Sequence, residues 1–207
     1  MTETIYTIGH SNHSLEYFIA LLRQHGIDVL CDVRSTAYSR TNPQFNREVL
    51  RRVLEKNGIV YVFLGKELGA RSDDPSCYVL GRVQYSSLAG TALFQKGMDD
   101  LRQRMRAHRI AMMCAEKDPL DCHRGILISR YLHSTGIAVE HILADGSLEN
   151  QSQTIARLLR QLNLEESELF RSHEDIIEDA YRIQGERIAY EVSVPSGEAA
   201  QMRRSIR

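Results

Sequence analysis

The chain has 207 residues, which is enough for one large domain with its own core, so it needs neither disulfides nor a metal merely to fold. Hydrophobic residues make up 43% and charged residues 26%, a composition that excludes collagen, general disorder and a membrane protein. The 26 Lys and Arg nearly balance the 27 Asp and Glu, which gives a net charge of -1. A protein that binds nucleic acid by bulk charge is therefore excluded, and any recognition of phosphate has to be local.

The first residues show no basic flank followed by an apolar run, and no segment approaches the length of a membrane span. We therefore expect a cytoplasmic protein with no membrane partner, for which a homo-oligomer remains open. In such a chain the cysteines are expected to be reduced thiols rather than a disulfide framework. They are Cys31, Cys77, Cys114 and Cys122.

Short β-branched runs alternate with segments of helical period over the first 146 residues. The predicted strands are residues 5–8, 29–33, 59–64, 110–115 and 137–143. One predicted helix between them begins at Ser14, and three others cover residues 47–56, 93–108 and 122–134. Residues 65–90 show no steady period and are predicted to form a long loop. This alternation predicts an open, doubly wound, Rossmann-like α/β fold with a mostly parallel sheet of about five strands.

The predicted domain organisation follows from the same periodicity. Residues 1–146 form the α/β domain that carries the candidate site. Residues 147–194 form a helical C-terminal appendage, with amphipathic segments at 154–162 and around 175–181. Residues 195–207 have little to bury and are predicted to form a flexible tail.

Reactive and charged side chains follow four of the predicted strands. In an open α/β sheet the site lies outside the carboxyl ends of the strands, so these side chains are expected to meet in one crevice. They are His10, Ser11, Asp32, Arg34, Lys66, Cys114 and Glu116.

The densest segment runs from Cys114 to Gly125 and places Cys122, His123 and Arg124 at the start of a predicted helix. Backbone N–H groups there favour an anion, and Arg124 adds a bidentate donor. The alternative is that an aspartate caps this helix and Arg124 pairs with a neighbouring acid. Cys122, beside a histidine and an arginine at a helix start, is a candidate nucleophile with a lowered pKa, although cysteine is also among the most often buried residues.

Familiar cofactor motifs are missing from the sequence. The chain contains no P-loop and no GxGxxG, so neither an ATP nor a nicotinamide cofactor is expected, and the cofactor stays unknown. No CxxC pair marks a structural zinc site, so no metal is predicted. If a metal is bound, its ligands would have to be gathered from His10, Cys114, Cys122 and His123.

Glu116 and Asp32 suggest a different chemistry. Two carboxylates in a partly dry crevice can supply an acid or base and a nucleophile, as in the cleavage of a glycosidic bond. The alternative is a structural ion pair that joins Asp32 and Arg34 to Arg124 or Glu116.

The ordered motifs of the first 146 residues resemble a bacterial family, the domain-of-unknown-function family 488. The motifs are Thr7–Ser11, Cys31–Arg34, Asn42–Asn46, Leu64–Gly69, Cys114–Glu116, Cys122–Arg124 and His141–Gly146. The resemblance implies a cytosolic α/β domain and carries no settled activity. Its signature positions correspond here to His10, Ser11, Asp32, Arg34, Ser39, Glu116, Cys122, His123 and Arg124. Ala37 stands where similar chains usually have proline.

Three functional hypotheses follow. The first is an enzyme for a phosphorylated, nucleotide-like or nucleic-acid substrate. Its catalytic residues would be Glu116, Asp32, His10, His123 and Cys122, and its substrate-binding residues Ser11, Arg34, Ser39, Lys66 and Arg124. The second is a thiol enzyme with Cys122 or Cys114 as the nucleophile. The third is a non-catalytic nucleic-acid-binding module that uses Tyr38, Arg40, Phe45, Arg47, Arg51 and Arg52, although the helical arginines are also typical of a solvated face.

Overall fold

The computed structural model describes residues 3–164 and 171–192, so the tail predicted at 195–207 lies outside the described residues. A mostly parallel six-stranded sheet forms its centre, in the order β3-β2-β6-β1-β7-β8, and β8 runs antiparallel to β7. The strands are β1 (Thr4–Gly9), β2 (Val29–Asp32), β3 (Val60–Phe63), β4 (Tyr78–Val79), β5 (Arg82–Val83), β6 (Ile110–Cys114), β7 (Ala138–Ile142) and β8 (Leu148–Asn150). The α/β class is therefore confirmed, as are the five predicted parallel strands.

Helices cover both faces of the sheet. They are α1 (Leu15–Gln24), α2 (Arg47–Lys56), α3 (Gly65–Leu68), α4 (Tyr85–Ala89), α5 (Ala92–Met105), α6 (Arg130–Ser134), α7 (Gln151–Leu162) and α8 (His173–Ile188). Because strand side chains alternate, Ile5 packs into one apolar layer with α5 and α6, and Tyr6 packs into the opposite layer with α1 and α2. None of these helices combines the length and apolar character that crossing a bilayer requires.

Two predicted segments differ from the structure. Residues 65–90 hold α3, the β4–β5 hairpin and α4 instead of one loop, because these elements are too short to show a period. The predicted helix at 122–134 is a π-helical segment, Arg124–Ser129, followed by α6. Such π-helical turns are rare and occur often at functional sites. Gly125 permits this segment to pack closely against the preceding turn, since a Cβ there would lie 2.1 Å from the carbonyl oxygen of Pro119.

Helices α7 and α8 pack against the segment that follows β6. Their apolar side chains form a cluster with Leu120 and Ile126. A buried polar chain also joins them to the sheet: Thr7 Oγ1 lies 2.7 Å from His141 Nδ1, His141 Nε2 lies 2.8 Å from Gln151 Oε1, and Gln151 donates to the Tyr181 hydroxyl at 2.6 Å. The C-terminal helices therefore support the loop that carries Cys122.

His141 makes stability depend on pH. Burial lowers its pKa to about 4, from 6.5 in the unfolded chain, so the unfolded state binds more protons between these values. Stability is then fully present above pH 6.5 and is lost as the pH falls towards 4. We expect His141 to remove about 2 kcal/mol of unfolding free energy between pH 7 and pH 5.

Urea denaturation of the wild type and of His141→Gln at pH 7, 6 and 5 checks this expectation. The variant should show the smaller loss on acidification, whereas His133→Gln, which changes an exposed side chain, should follow the wild type. Equal pH slopes for the wild type and His141→Gln would show that His141 does not carry the effect.

Candidate functional site

The candidate site lies where the strand order reverses. The chain runs from β1 outward to β2 and β3, returns to place β6 between β1 and β2, and then adds β7 on the other side of β1. This is the switch point at which open α/β sheets bind ligands. The loops after β1, β2 and β6 meet there, as predicted from the residues that follow these strands.

The crevice at this point has two lobes. The inner lobe has a volume of about 310 Å³ and the outer lobe about 490 Å³. The inner lobe is lined among others by Arg71, Tyr85, Cys114, Cys122, His123 and Tyr190. The outer lobe is lined among others by His10, Ser11, Asn12, Ser39, Thr41 and Lys117. Both lobes share Arg34, Thr36, Tyr38, Ala115 and Glu116, so they form one continuous site.

Four reactive groups meet at the base of the inner lobe. The sulfur atoms of Cys114 and Cys122 each lie 3.0 Å from the same carboxylate oxygen, Glu116 Oε2, and each lies 3.8 Å from His123 Nδ1. Cys114 ends β6 and Cys122 follows the Pro119–Asp121 turn, so this loop brings the two thiols together. We refer to Cys114, Glu116, Cys122 and His123 as the thiol cluster.

The orientation of His123 follows from its hydrogen bonds. Nε2 lies 3.1 Å from the carbonyl oxygen of Val33, and because a carbonyl can only accept, Nε2 carries the hydrogen. When the ring is neutral its lone pair is on Nδ1, which faces the two sulfurs of the thiol cluster. His123 is buried, so the backbone at the end of β2 fixes this orientation.

The groups around the thiol cluster shift the pKa values of its two thiols in opposite directions. Burial opposes ionisation of Cys122, but the hydrogen bond from Cys114 and the positive charge of Arg124 lower its pKa below the usual range. The hydrogen bond with Cys122 and burial raise the pKa of Cys114 well above that range. Although much of Glu116 is exposed, its carboxyl group points inward and burial raises its pKa. The first thiolate therefore forms on Cys122.

The guanidinium of Arg124 makes its hydrogen bonds to backbone carbonyls. Its side chain is 1% exposed and donates to the carbonyl oxygens of Glu116 at 2.7 Å and Lys117 at 3.0 Å. Arg124 is absent from the lining of both lobes, so it holds the loop after β6 instead of facing a ligand. Its buried positive charge lies beside the thiol cluster.

Asp32 and Arg34 form a buried ion pair with each other, not with Arg124 or Glu116, the partners that the sequence analysis had offered. Arg34 donates Nε and Nη2 to the Asp32 carboxylate at 2.9 Å and 2.6 Å, and Tyr61 donates to the same carboxylate at 2.7 Å. Asp32 is 0% exposed and Arg34 5% exposed. Asp32 therefore lies beneath the crevice floor. Arg34 also donates Nη2 to the Phe45 carbonyl at 2.9 Å and Nη1 to His10, so of its five guanidinium N–H groups one on Nη1 stays available to a ligand.

His10 belongs to the same buried layer. It stacks on Phe45 with ring centroids 4.3 Å apart, accepts a hydrogen bond from Arg34 Nη1 on Nε2, and donates from Nδ1 to the Ser11 carbonyl. Burial lowers its pKa to about 4, so the ring is neutral at physiological pH. His10 orients Arg34 and is not part of the thiol cluster.

The other predicted residues are divided between the crevice and the surface. Ser11 and Ser39 line the outer lobe, whereas Lys66 is exposed on α3 and lines neither lobe. Phe45 is fully buried, so its predicted stacking on a base is wrong. Tyr38 lines both lobes and is 64% exposed. Arg51 pairs with Glu55 on α2, as expected of a solvated helix face.

Among the lining residues that were not predicted, three carry large side chains into the inner lobe. Arg71 follows α3, Tyr85 begins α4 and Tyr190 follows α8, so they reach the inner lobe from segments distant in sequence. The Arg71 guanidinium lies over the Tyr190 ring at 4.3 Å. No local motif marks any of them, which is why the sequence did not indicate them.

Gly9 permits the close approach of β1 to the loop that carries Glu116. A Cβ at Gly9 would lie 1.9 Å from the Glu116 carbonyl oxygen and 3.1 Å from Arg124 Nη2. We expect Gly9→Ala to cost about 1–3 kcal/mol of unfolding free energy, because the loop must shift. Chemical denaturation measures this cost. Gly90→Ala, whose Cβ makes only ordinary contacts, is the control, and equal stability of the two variants would contradict the expectation.

Comparison with known proteins gives one result. A family model described as "Domain of unknown function DUF488" matches residues 14–131. No curated protein and no solved structure matches the chain significantly. The matched segment contains the ends of β2 and β6 and the whole thiol cluster. Because the match covers more than half of its residues, the chain belongs to the DUF488 family.

Proposed function

We propose that this protein is a hydrolase for a nucleotide-like, phosphate-bearing substrate that binds in the two-lobed crevice. The observation that carries the proposal is the position of Glu116. Its side chain lies in the wall shared by the two lobes, and its Oε2 points to Cys114 and Cys122 at the base of the inner lobe. A ligand that fills both lobes therefore has its central bond beside this carboxylate.

The linings of the two lobes support the substrate class. The inner lobe presents the aromatic rings of Tyr38, Tyr85 and Tyr190, which suit a base or another flat ring. The outer lobe presents Lys117, with hydroxyl and amide groups around it, and shares the free Nη1 hydrogen of Arg34. These donors suit a phosphate group. The volumes of the lobes, about 310 and 490 Å³, suit a small ligand of this kind.

In the proposed reaction Glu116 acts as a general base. Its carboxylate takes a proton from a water molecule, the resulting hydroxide attacks the substrate, and the proton is returned to the leaving group. The net change is addition of one water across the broken bond. Asp32 cannot act as a second carboxylate of a glycosidase pair, because Arg34 and Tyr61 occupy both of its oxygens. The role of Asp32 and His10 is to position Arg34.

A panel of compounds tests this function. The full chain is incubated with nucleoside mono- and diphosphates and with short single-stranded RNA and DNA, and the products are followed by mass spectrometry. We expect at least one member to gain one water, with turnover that depends on Glu116. No hydrolysis product from any member of the panel would contradict the proposal.

A thiol enzyme with Cys122 as the nucleophile is the second candidate. The favouring observation is that the backbone N–H of Arg124 donates to Cys122 Sγ at 3.4 Å, a contact that stabilises a thiolate. This candidate predicts a covalent adduct on Cys122 during turnover, which peptide mass spectrometry detects. The hydrolase predicts turnover without an adduct.

A further inference from the structure

We propose that Cys114, Cys122 and His123 bind a divalent transition-metal ion, with zinc as the best match to these ligands. Two sulfurs and one imidazole nitrogen are donors that zinc prefers. Within the described residues the three ligand atoms lie within 4.8 Å of one another. The metal's catalytic role rests on the proposed function, whereas its binding can be measured without a substrate.

The distances of the thiol cluster fit a tetrahedral ion. Zinc–sulfur bonds of about 2.3 Å and zinc–nitrogen bonds of about 2.0 Å place a sulfur and a nitrogen ligand about 3.5 Å apart at the tetrahedral angle. The two distances from His123 Nδ1 to the sulfurs are both 3.8 Å. Each sulfur–nitrogen pair therefore needs to close by only a few tenths of an ångström to bind the ion.

The surroundings of the three ligands are those of a metal site. A ligating imidazole normally donates its other N–H to a carbonyl or carboxylate, which fixes the ring and directs the lone pair at the metal. His123 Nε2 makes this bond to the Val33 carbonyl. The Arg124 backbone N–H directed at Cys122 Sγ similarly favours a thiolate ligand.

The charges around the cluster accommodate a divalent cation. Both thiols lie within hydrogen-bond distance of the Glu116 carboxyl, so each can donate its proton there when no cation is bound. A divalent ion neutralises two thiolates. The buried guanidinium of Arg124, whose hydrogen-bond partners among the described residues are backbone carbonyls, then offsets the carboxylate of Glu116.

The site has the features of a catalytic metal centre. Structural zinc ions have four protein ligands, whereas catalytic ones have three and bind water at the fourth position. The inner lobe opens onto the thiol cluster and admits water. Glu116 Oε2, 3.0 Å from each sulfur, is close enough to accept a proton from water bound to the ion. His10, which the sequence offered as a ligand, is occupied by Arg34 and Ser11.

Metal analysis of the purified full chain tests the proposal. After dialysis against zinc and then against buffer, plasma mass spectrometry should find about one zinc ion per chain. Cys114→Ser, Cys122→Ser and His123→Ala should each retain at least about tenfold less. Cys31→Ala and Cys77→Ala are the matched controls, since both remove a buried thiol outside the cluster and should retain the ion.

Cobalt-loaded wild type keeps the test decisive if a cluster variant does not fold. Two thiolate ligands should give an intense thiolate-to-cobalt absorption band. The proposal would be overturned if the wild type retained neither zinc nor cobalt, or if the cluster variants retained as much zinc as the controls. A Cys114–Cys122 disulfide that persists in the reduced preparation would also overturn it. Zinc binding without turnover of any compound would refute only the proposed hydrolase. Full turnover by metal-free protein would refute only the catalytic metal.

Discussion

Asp32→Ala is expected to lower the unfolding free energy by about 3–5 kcal/mol, because it leaves the Arg34 charge buried without its partner. Asp32 accepts hydrogen bonds from the Arg34 backbone N–H and guanidinium and from the Tyr61 hydroxyl. The variant removes all of them at a position that water does not reach. Urea denaturation at pH 7 measures the loss.

Two further variants distinguish the cost of an unpaired buried charge from the cost of any substitution at this position. Replacing both charges, in Asp32→Leu with Arg34→Met, should destabilise the chain less than Asp32→Ala alone, because no charge remains buried. Glu55→Ala, which breaks the exposed pair with Arg51, should cost about 0.5 kcal/mol or less. Similar losses for Asp32→Ala and Glu55→Ala would show that the Asp32–Arg34 pair is not a main support of the crevice floor.

Glu116→Gln is expected to lower kcat about 10²–10⁴-fold on the substrate found by the panel, because the amide cannot take the proton from water. KM should change little, since the amide occupies nearly the same space. The unfolding free energy should change by no more than about 1 kcal/mol, because the glutamine amide oxygen can still accept hydrogen bonds from the two thiols. Steady-state kinetics and urea denaturation of the same preparation measure both quantities.

Glu48→Gln is the matched control for this change. Glu48 is an exposed residue of α2 and lines neither lobe, so the same chemical change there should leave kcat unaltered. A Glu116→Gln variant that folds and turns over substrate at the wild-type rate would remove the general base from the proposed reaction.

The fold was largely predictable because the central strands are short, buried and rich in β-branched or apolar residues. Strand β6, with the sequence IAMMC, is buried along its whole length, as are β2 and nearly all of β1. The helices between them are long enough to show their period. β8 was not predicted, because three residues that run directly into α7 carry no pattern of their own.

The position of the crevice was also predictable, because strand ends in a parallel sheet meet at one edge. The arrangement within it was not. Arg34 was expected to bind phosphate, but the bidentate pair with Asp32 depends on the fold of the loop after β2. The lone pair of His123 faces Cys114 because of a carbonyl 90 residues earlier in the chain, at Val33. Contacts at that separation leave no local mark on the sequence.

The thiol cluster at the base of the crevice is proposed to be a metal-dependent reaction centre. The most direct test is diffraction from a zinc-loaded crystal of the full chain at an X-ray energy just above the zinc absorption edge. We expect an anomalous peak about 2.3 Å from the sulfurs of Cys114 and Cys122 and about 2.0 Å from His123 Nδ1. Well-defined density for these side chains without an anomalous peak between them would contradict the account.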